Sequence, residues 1–244
     1  MREHEIWKEY EQVNFFFEGR KANLVFPKTP DEQKNWTLKM EYCDAFPETE
    51  AALVKKGFHA AYLQNKTRFA TKEDCDAKER FIRYMHETYG LREKCVPVGM
   101  SCGGAHAVNF ARYYPESVAC MFLDAPVLNF SSYPGKLGNA ACEEVWENEF
   151  TKAYPDMTRA RLLSSQIHPM NGIEILKEHG IPIIMSYGTE DCTVDYNENG
   201  ALFAEEYSAH PELLTVLPRN LQGHHPHGFP EHPEKIVDLI VKFC

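Results

Sequence analysis

Short apolar runs alternate with helical segments along most of this chain, and that alternation limits the possible folds more than any other feature. Strand-like runs occupy residues 58–63, 96–99, 118–123, 181–187 and 213–217. Helical patterns separate them, and the amphipathic stretch 71–89 ends at Gly90, a residue typical of helix C-termini. Apolar strands that alternate with helices indicate a mostly parallel sheet covered by helices on both faces. We therefore predict an α/β protein.

The chain is expected to form a single domain, residues 1–244, because its length suits one α/β core and no linker or repeat interrupts it. The alternation stops within residues 129–179, where short helical pieces carry Tyr133, Trp146 and Phe150. We expect a small helical insertion there that lies over the functional site like a cap. A plain helical decoration is the alternative.

A candidate nucleophile lies in Gly99-Met100-Ser101-Cys102-Gly103, which matches the pattern G-x-S-x-G. The match lies between a predicted strand and a predicted helix, the context in which this pattern forms a sharp turn that exposes the serine. An ordinary strand-to-helix turn and a phosphate cradle are the alternatives. The lysine of a P-loop and the glycine spacing of a dinucleotide site are both missing, so we favour Ser101 as the nucleophile.

A serine nucleophile needs a base and a carboxylate that orients the base, in the chain order Ser, Asp, His. Asp191 follows the predicted strand that ends near residue 187, at the edge where parallel sheets assemble their sites. We predict Asp191 as the acid. Glu190 and Asp195 are its rivals, and Asp195 precedes a helix that it would cap.

Three histidines follow the last predicted strand: His224, His225 and His227. We favour His224 as the base, then His225, then His227. Three clustered histidines also suit a metal ion, but no cysteine or carboxylate stands at ligand spacing beside them, so we predict no metal. His106 is expected to be a packed or partly exposed residue and not a catalyst.

The oxyanion of an acyl transfer requires backbone N–H donors. We expect one from Cys102, directly after the nucleophile, and one from the loop that follows Phe26. Pro27 has no N–H, so Lys28, or else Thr29, is the predicted second donor. The chain lacks an H-G-G-G motif that would narrow this choice.

In chain order, the turn at Ser101, the segment 188–194 and the Gly223-His224 loop resemble the α/β-hydrolase superfamily. The sequence is also similar to bacterial esterase-like and prolyl-oligopeptidase-like serine hydrolase domains. The resemblance implies a carboxylic-ester hydrolase that works through a Ser-His-Asp triad and an acyl-enzyme, without a cofactor. A peptidase or amidase with the same triad and a non-catalytic binding module are the alternatives.

The formal net charge of -10 argues against nucleic acid and anionic membranes as partners, because both attract basic surfaces. The expected partner is a small acyl ester. Residues 1–20 lack a secretion signal and no later run is long enough to span a membrane, so we expect a soluble, cytoplasmic protein. The eight cysteines, Cys142 among them, are expected to be reduced thiols.

Overall fold

One sheet dominates the structure, a computed structural model that describes residues 2–140 and 144–244. Its nine described strands are β1 Glu3–Trp7, β2 Tyr10–Phe17, β3 Arg20–Val25, β4 Trp36–Lys39, β5 His59–Leu63, β6 Val96–Met100, β7 Met121–Asp124, β8 Ile183–Gly188 and β9 Leu214–Arg219. They lie in the order β1-β2-β3-β5-β4-β6-β7-β8-β9. The first three are antiparallel, and β4 to β9 are parallel to one another. The prediction of a mostly parallel sheet is confirmed.

Helices cover both faces of this sheet. Those described are α1 Glu48–Lys55, α2 Lys72–Tyr89, α3 Cys102–Tyr113, α4 Thr151–Ala153, α5 Arg159–Leu162, α6 Ile173–Glu178, α7 Gly200–Glu206 and α8 Glu234–Phe243. Apolar side chains of α2, α3, α6 and α7 form the core on one face, and those of α1 and α8 form the core on the other. The three-layer arrangement follows from the alternation in the sequence.

Strand β7 shows how the two cores are divided. Met121 and Leu123 pack on the α3 side, whereas Phe122 between them packs on the α8 side. Successive side chains of a strand point to opposite faces, so a continuous apolar run is required wherever both faces are covered. All three side chains have no exposed surface.

Strand β4 is absent from the sequence-based prediction, and its position matters for the site. All four of its residues are buried, including Thr37 and Lys39. The Lys39 ammonium is accommodated by an ion pair of 2.6 Å with Glu50 on α1. Two polar residues in a four-residue run removed the apolar pattern that identifies a buried strand.

The predicted insertion, residues 129–179, packs partly as a separate cluster. Phe130, Trp146 and Phe150 lie with Cys102 and Val194, beside the Ser101 turn and the Asp191 loop. Its last helix, α6, belongs instead to the main core. Residues 141–143 of this segment, with Cys142, lie outside the described residues.

Two further findings concern the described residues as a whole. Their seven cysteines are all free thiols. None of their helices combines the length and the apolar composition needed to cross a membrane.

Candidate active site

Ser101 occupies a strained turn between β6 and α3. Its φ of 51° and ψ of -121° fall in a region that non-glycine residues rarely adopt. A Cβ at Gly99 would lie 2.4 Å from the carbonyl oxygen of Gly103, and one at Gly104 would lie 2.3 Å from the Pro126 side chain. The close approach of β6 to α3 therefore requires glycine at position 99, and the close approach of α3 to Pro126 requires glycine at position 104.

Backbone hydrogen bonds hold this turn at the carboxyl end of the sheet. The Ser101 N–H donates to the carbonyl of Asp124, at 2.9 Å, and the Ser101 carbonyl accepts from Val127, also at 2.9 Å. Ser101 is 7% exposed. No hydrogen bond between its hydroxyl and an imidazole is found in residues 2–140 and 144–244, and such contacts are often long before substrate binds.

Asp191 and His224 are brought together from the loops after β8 and β9. His224 Nδ1 lies 2.7 Å from Asp191 Oδ2. The other carboxylate oxygen of Asp191 accepts the backbone N–H groups of Thr193 and Val194, at 2.9 and 3.0 Å. Both side chains are largely buried, with 9% of His224 and 1% of Asp191 exposed.

These contacts keep Asp191 ionised. Burial alone would raise the pKa of Asp191, but the hydrogen bonds from His224 and from the backbone N–H groups of Val194 and Thr193 lower it below its usual value. A buried carboxylate on Nδ1 fixes the tautomer that leaves Nε2 free to take a proton. Asp191 thus has the surroundings that an orienting acid needs.

The rival acids have other surroundings. Glu190 is exposed to solvent. Asp195 accepts the backbone N–H of Asn197 at 2.8 Å and caps the short helix that follows, as its place in the sequence suggested. Neither makes a hydrogen bond with a histidine in the part of the chain that the structure describes.

The other two clustered histidines have different partners. The Nδ1 of His227 is hydrogen-bonded to the buried carboxylate of Asp124, at the end of β7. His225 is exposed and stacks on Phe46, with 5.5 Å between ring centroids. Only His224 of the three contacts Asp191.

Asp124 was not identified from the sequence, although it joins the histidine loop to the Ser101 turn. Its fully buried carboxylate receives the Ser186 hydroxyl, the Gly228 N–H at 3.1 Å and the Arg219 guanidinium at 3.3 Å. Its carbonyl accepts the N–H of Ser101. The available signal was an aspartate at the end of the apolar run 118–123. A carboxylate in that position is buried only if it has polar partners, so this aspartate indicates a set of partners from other loops.

The predicted second oxyanion donor, Lys28, is wrong. It follows β3, which is antiparallel to β5, with Val25 opposite Ala60 near the start of β5. Lys28 therefore lies at the amino ends of the parallel strands, whereas Ser101 lies at their carboxyl ends. Its ammonium is exposed and pairs with Glu9. Thr29 lies at the same end, beside Gly57.

The loop after β4 reaches α3, the helix after Ser101, instead. A Cβ at Gly103 would lie 3.3 Å from Glu41 Cβ, so this loop packs directly on the first turn of α3. Tyr42 adopts a φ of 55°. Burial raises the pKa of the Tyr42 phenol well above its usual value, and contact with the Cys102 thiol adds to the shift. The N–H of Cys102, the first residue of α3, has no acceptor within the helix.

His106, predicted to be packed or partly exposed, is fully buried on α3. Its Nε2 lies 3.0 Å from the carbonyl oxygen of Thr67 and 3.2 Å from the N–H of Ala70. Burial lowers the pKa of His106 to about 3, so the ring is neutral. These contacts hold the segment after β5 against α3.

No protein-family model and no curated protein sequence matches this chain. Solved structures do match. Acylaminoacyl peptidase from Pyrococcus horikoshii is 13% identical with a TM-score of 0.71, over 96% of this chain and 41% of that one. Dipeptidyl peptidase 4 from Porphyromonas gingivalis is 12% identical with a TM-score of 0.68, over 96% of this chain and 35% of that one.

A third structure, Est1E from Butyrivibrio proteoclasticus, is 12% identical with a TM-score of 0.65, and the match covers 95% of this chain and 96% of that one. The chain thus spans well under half of each peptidase and nearly all of Est1E. These proteins are α/β-hydrolase superfamily members. Identities this low establish the fold alone, and the chain has the α/β-hydrolase fold.

Proposed function

We propose that this chain is a serine hydrolase that cleaves carboxylic esters, with Ser101 as nucleophile, His224 as base and Asp191 as the acid that orients it. The observation that carries the proposal is the 2.7 Å contact of His224 with Asp191, at the sheet edge where the strained Ser101 turn also lies. A strained serine, a histidine and a buried carboxylate are the parts that acyl transfer needs.

In the first half-reaction the Ser101 oxygen attacks the ester carbonyl carbon while His224 Nε2 takes the hydroxyl proton. Asp191 stabilises the imidazolium that forms. The tetrahedral intermediate then collapses, the bond to the alcohol oxygen breaks, and His224 gives its proton to the departing alcohol. In the second half-reaction His224 takes a proton from a water molecule, which attacks the carbonyl carbon of the acyl-enzyme. The bond to the Ser101 oxygen then breaks, His224 returns its proton to that oxygen, and the carboxylic acid leaves.

The negative oxygen of the tetrahedral intermediate requires donors that are already in place. We propose the Cys102 N–H as one of them. For the second donor we propose the segment 41–43 after β4, in place of Lys28. Its support is the packing of Glu41 against Gly103, which brings this backbone to the start of α3.

The insertion is proposed to act as a small cap. Its aromatic residues Phe130, Trp146 and Phe150 pack with Cys102 and Val194. Cys102 directly follows Ser101, and the Val194 N–H donates to Asp191. A paired charge, Arg68 with Glu149 at 2.6 Å, joins the insertion to the segment after β5. An apolar cover of this kind excludes water and strengthens the electrostatic contacts inside the site.

We also propose that the protein works without a cofactor on a small acyl ester, and in the cytoplasm. The free thiols of the described cysteines suit a reducing compartment. Peptidase activity is the second candidate function, because two of the structures with this fold are named as peptidases. The two candidates share the triad and differ in the leaving group.

Steady-state kinetics tests the proposal. We expect the protein to hydrolyse p-nitrophenyl acetate and Ser101→Ala to lose the activity, whereas Ser208→Ala, at an exposed serine remote from the triad, retains it. An aminoacyl p-nitroanilide should be hydrolysed far more slowly than the ester. A preference for the anilide would favour the peptidase, and a folded protein without activity on either substrate would favour a binding module.

A further inference from the structure

The three histidines of the loop after β9 form a compact cluster of imidazoles. The ring centroids of His224, His225 and His227 lie 4.8 to 4.9 Å apart in every pairing. One nitrogen of each ring lies within 4.8 Å of the corresponding nitrogens of the other two. The triad uses one of these rings and leaves the other two without a role in the chemistry.

Buried carboxylates orient two of the three rings. Asp191 binds Nδ1 of His224, and Asp124 binds Nδ1 of His227. The Nε2 atoms of both rings make no hydrogen bond to another described residue. A carboxylate on one ring nitrogen and a free second nitrogen is the arrangement that orients metal-binding histidines and makes them more basic.

Neutral imidazole nitrogens favour borderline-soft divalent ions, of which Zn²⁺ accepts three histidines and keeps its fourth position open. Ligand nitrogens of a tetrahedral zinc site lie about 3.4 Å apart, given Zn–N bonds of about 2.1 Å. The nitrogens of the cluster, which lie within 4.8 Å of one another, must therefore approach to this distance when the ion binds. His225 is exposed, and among the described residues its ring has aromatic contacts only with the face of Phe46 and the other two imidazoles, so it is the ring that can move.

We propose that His224, His225 and His227 form a binding site for a divalent transition-metal ion, Zn²⁺ in particular, that shares His224 with the triad. The sequence argued against a metal because no cysteine or carboxylate stands at ligand spacing. In the folded chain the carboxylates of Asp191 and Asp124, from the loop after β8 and the end of β7, bind the Nδ1 atoms of His224 and His227.

The consequence for activity rests on the proposed hydrolase function. A bound Zn²⁺ occupies the Nε2 lone pair that would take the proton of Ser101. Metal binding and base catalysis at His224 are therefore mutually exclusive, and Zn²⁺ is a reversible inhibitor of the hydrolase.

Isothermal titration calorimetry with ZnCl₂ tests the site directly. We expect one Zn²⁺ per chain and an affinity at least about 10-fold weaker in His225→Gln and in His227→Asn. His232→Gln, at an exposed histidine outside the cluster, is the matched control and should bind like the wild type. All variants retain Cys192, the exposed thiol beside Asp191, so a thiol site would bind Zn²⁺ equally in all of them.

Circular dichroism establishes whether each variant is folded. If His227→Asn does not fold, His225→Gln, which is altered at an exposed position, still tests the site. The proposal is overturned if the wild type binds no Zn²⁺, or if folded His225→Gln binds it as tightly as His232→Gln does.

Hydrolysis with increasing Zn²⁺, each variant measured against its own rate in EDTA, is the second readout. We expect inhibition of the wild type and of His232→Gln, and resistance of His225→Gln. If no form hydrolyses ester, the proposed function fails while calorimetry still decides the metal site. If the wild type is active and Zn²⁺ leaves its rate unchanged, the shared use of His224 is wrong.

Discussion

The proposed role of Asp191 can be tested by removing the charge of its carboxylate. In Asp191→Asn the side chain keeps its size but loses the charge that stabilises the His224 imidazolium and fixes its tautomer. We expect kcat for p-nitrophenyl acetate to fall by about 10³- to 10⁴-fold, with a small change in KM. Glu190→Gln, at the exposed neighbouring carboxylate, should change kcat by less than about 2-fold. A larger loss in Glu190→Gln than in Asp191→Asn would assign the acid to Glu190.

A buried histidine at the other end of the sheet gives the fold a pH dependence of its own. Burial lowers the pKa of His59, on β5, to about 4 from its ordinary value of 6.5, and its Nδ1 has no hydrogen-bond partner among the described residues. Between pH 6.5 and pH 4, His59 is therefore protonated in the unfolded chain and neutral in the folded chain. The free energy of unfolding falls as the pH falls through that range.

Urea denaturation at pH 7 and pH 5 measures this contribution. The free energy of unfolding of the wild type should fall by about 2 kcal/mol more than that of His59→Phe, which keeps an aromatic ring beside Phe26 and removes the titration. Equal losses in the two proteins would show that His59 takes up its proton without cost to the fold.

The residue-level predictions differed in how local their signal in the sequence was. Ser101, Asp191 and His224 follow strands that are visible in the sequence, so their shared sheet edge could be predicted. Lys28 was a wrong choice because a strand was missed between it and the site. Asp124 was overlooked because its partners lie in other loops.

At the scale of secondary-structure elements, β4 is the strand that the sequence-based prediction missed. Its Thr37 and Lys39 are buried, and the ion pair of Lys39 with Glu50 joins residues on two different elements. A pattern of polarity along the chain cannot show such a pairing, since the compensating charge arrives only with tertiary structure. Missing β4 shifted the predicted oxyanion loop to the wrong end of the sheet.

Helix α8 tests the assignment of the second core. Ile240 is fully buried against β7 and β8, whereas Val241, the next residue on the same helix, is 41% exposed. Ile240→Ala should lower the free energy of unfolding by about 2 to 5 kcal/mol, because it leaves a cavity in a packed core. Val241→Ala should cost less than about 1 kcal/mol. Denaturation in urea gives both values, and similar costs for the two would contradict this packing.

At the scale of the whole molecule, the alternation of strands and helices was enough to predict the layers of the fold. Apolar residues on both faces of β6 to β8 permit only a covered sheet. The strand order β5-β4-β6 could not be predicted from the sequence. Strand β4 lies between β5 and β6, which both follow it in the chain, so the order in the sheet differs from the order in the sequence. The substrate also stays outside such reasoning, since pocket shape and not the fold selects it.

The central claim is that Ser101 is an activated nucleophile, and labelling with a fluorophosphonate probe tests it most directly. Intact-mass spectrometry should show one covalent adduct on the wild type, which peptide mapping places on Ser101, and no adduct on folded Ser101→Ala. An adduct that persists in Ser101→Ala, or a folded wild type that takes no label, would contradict the proposed mechanism.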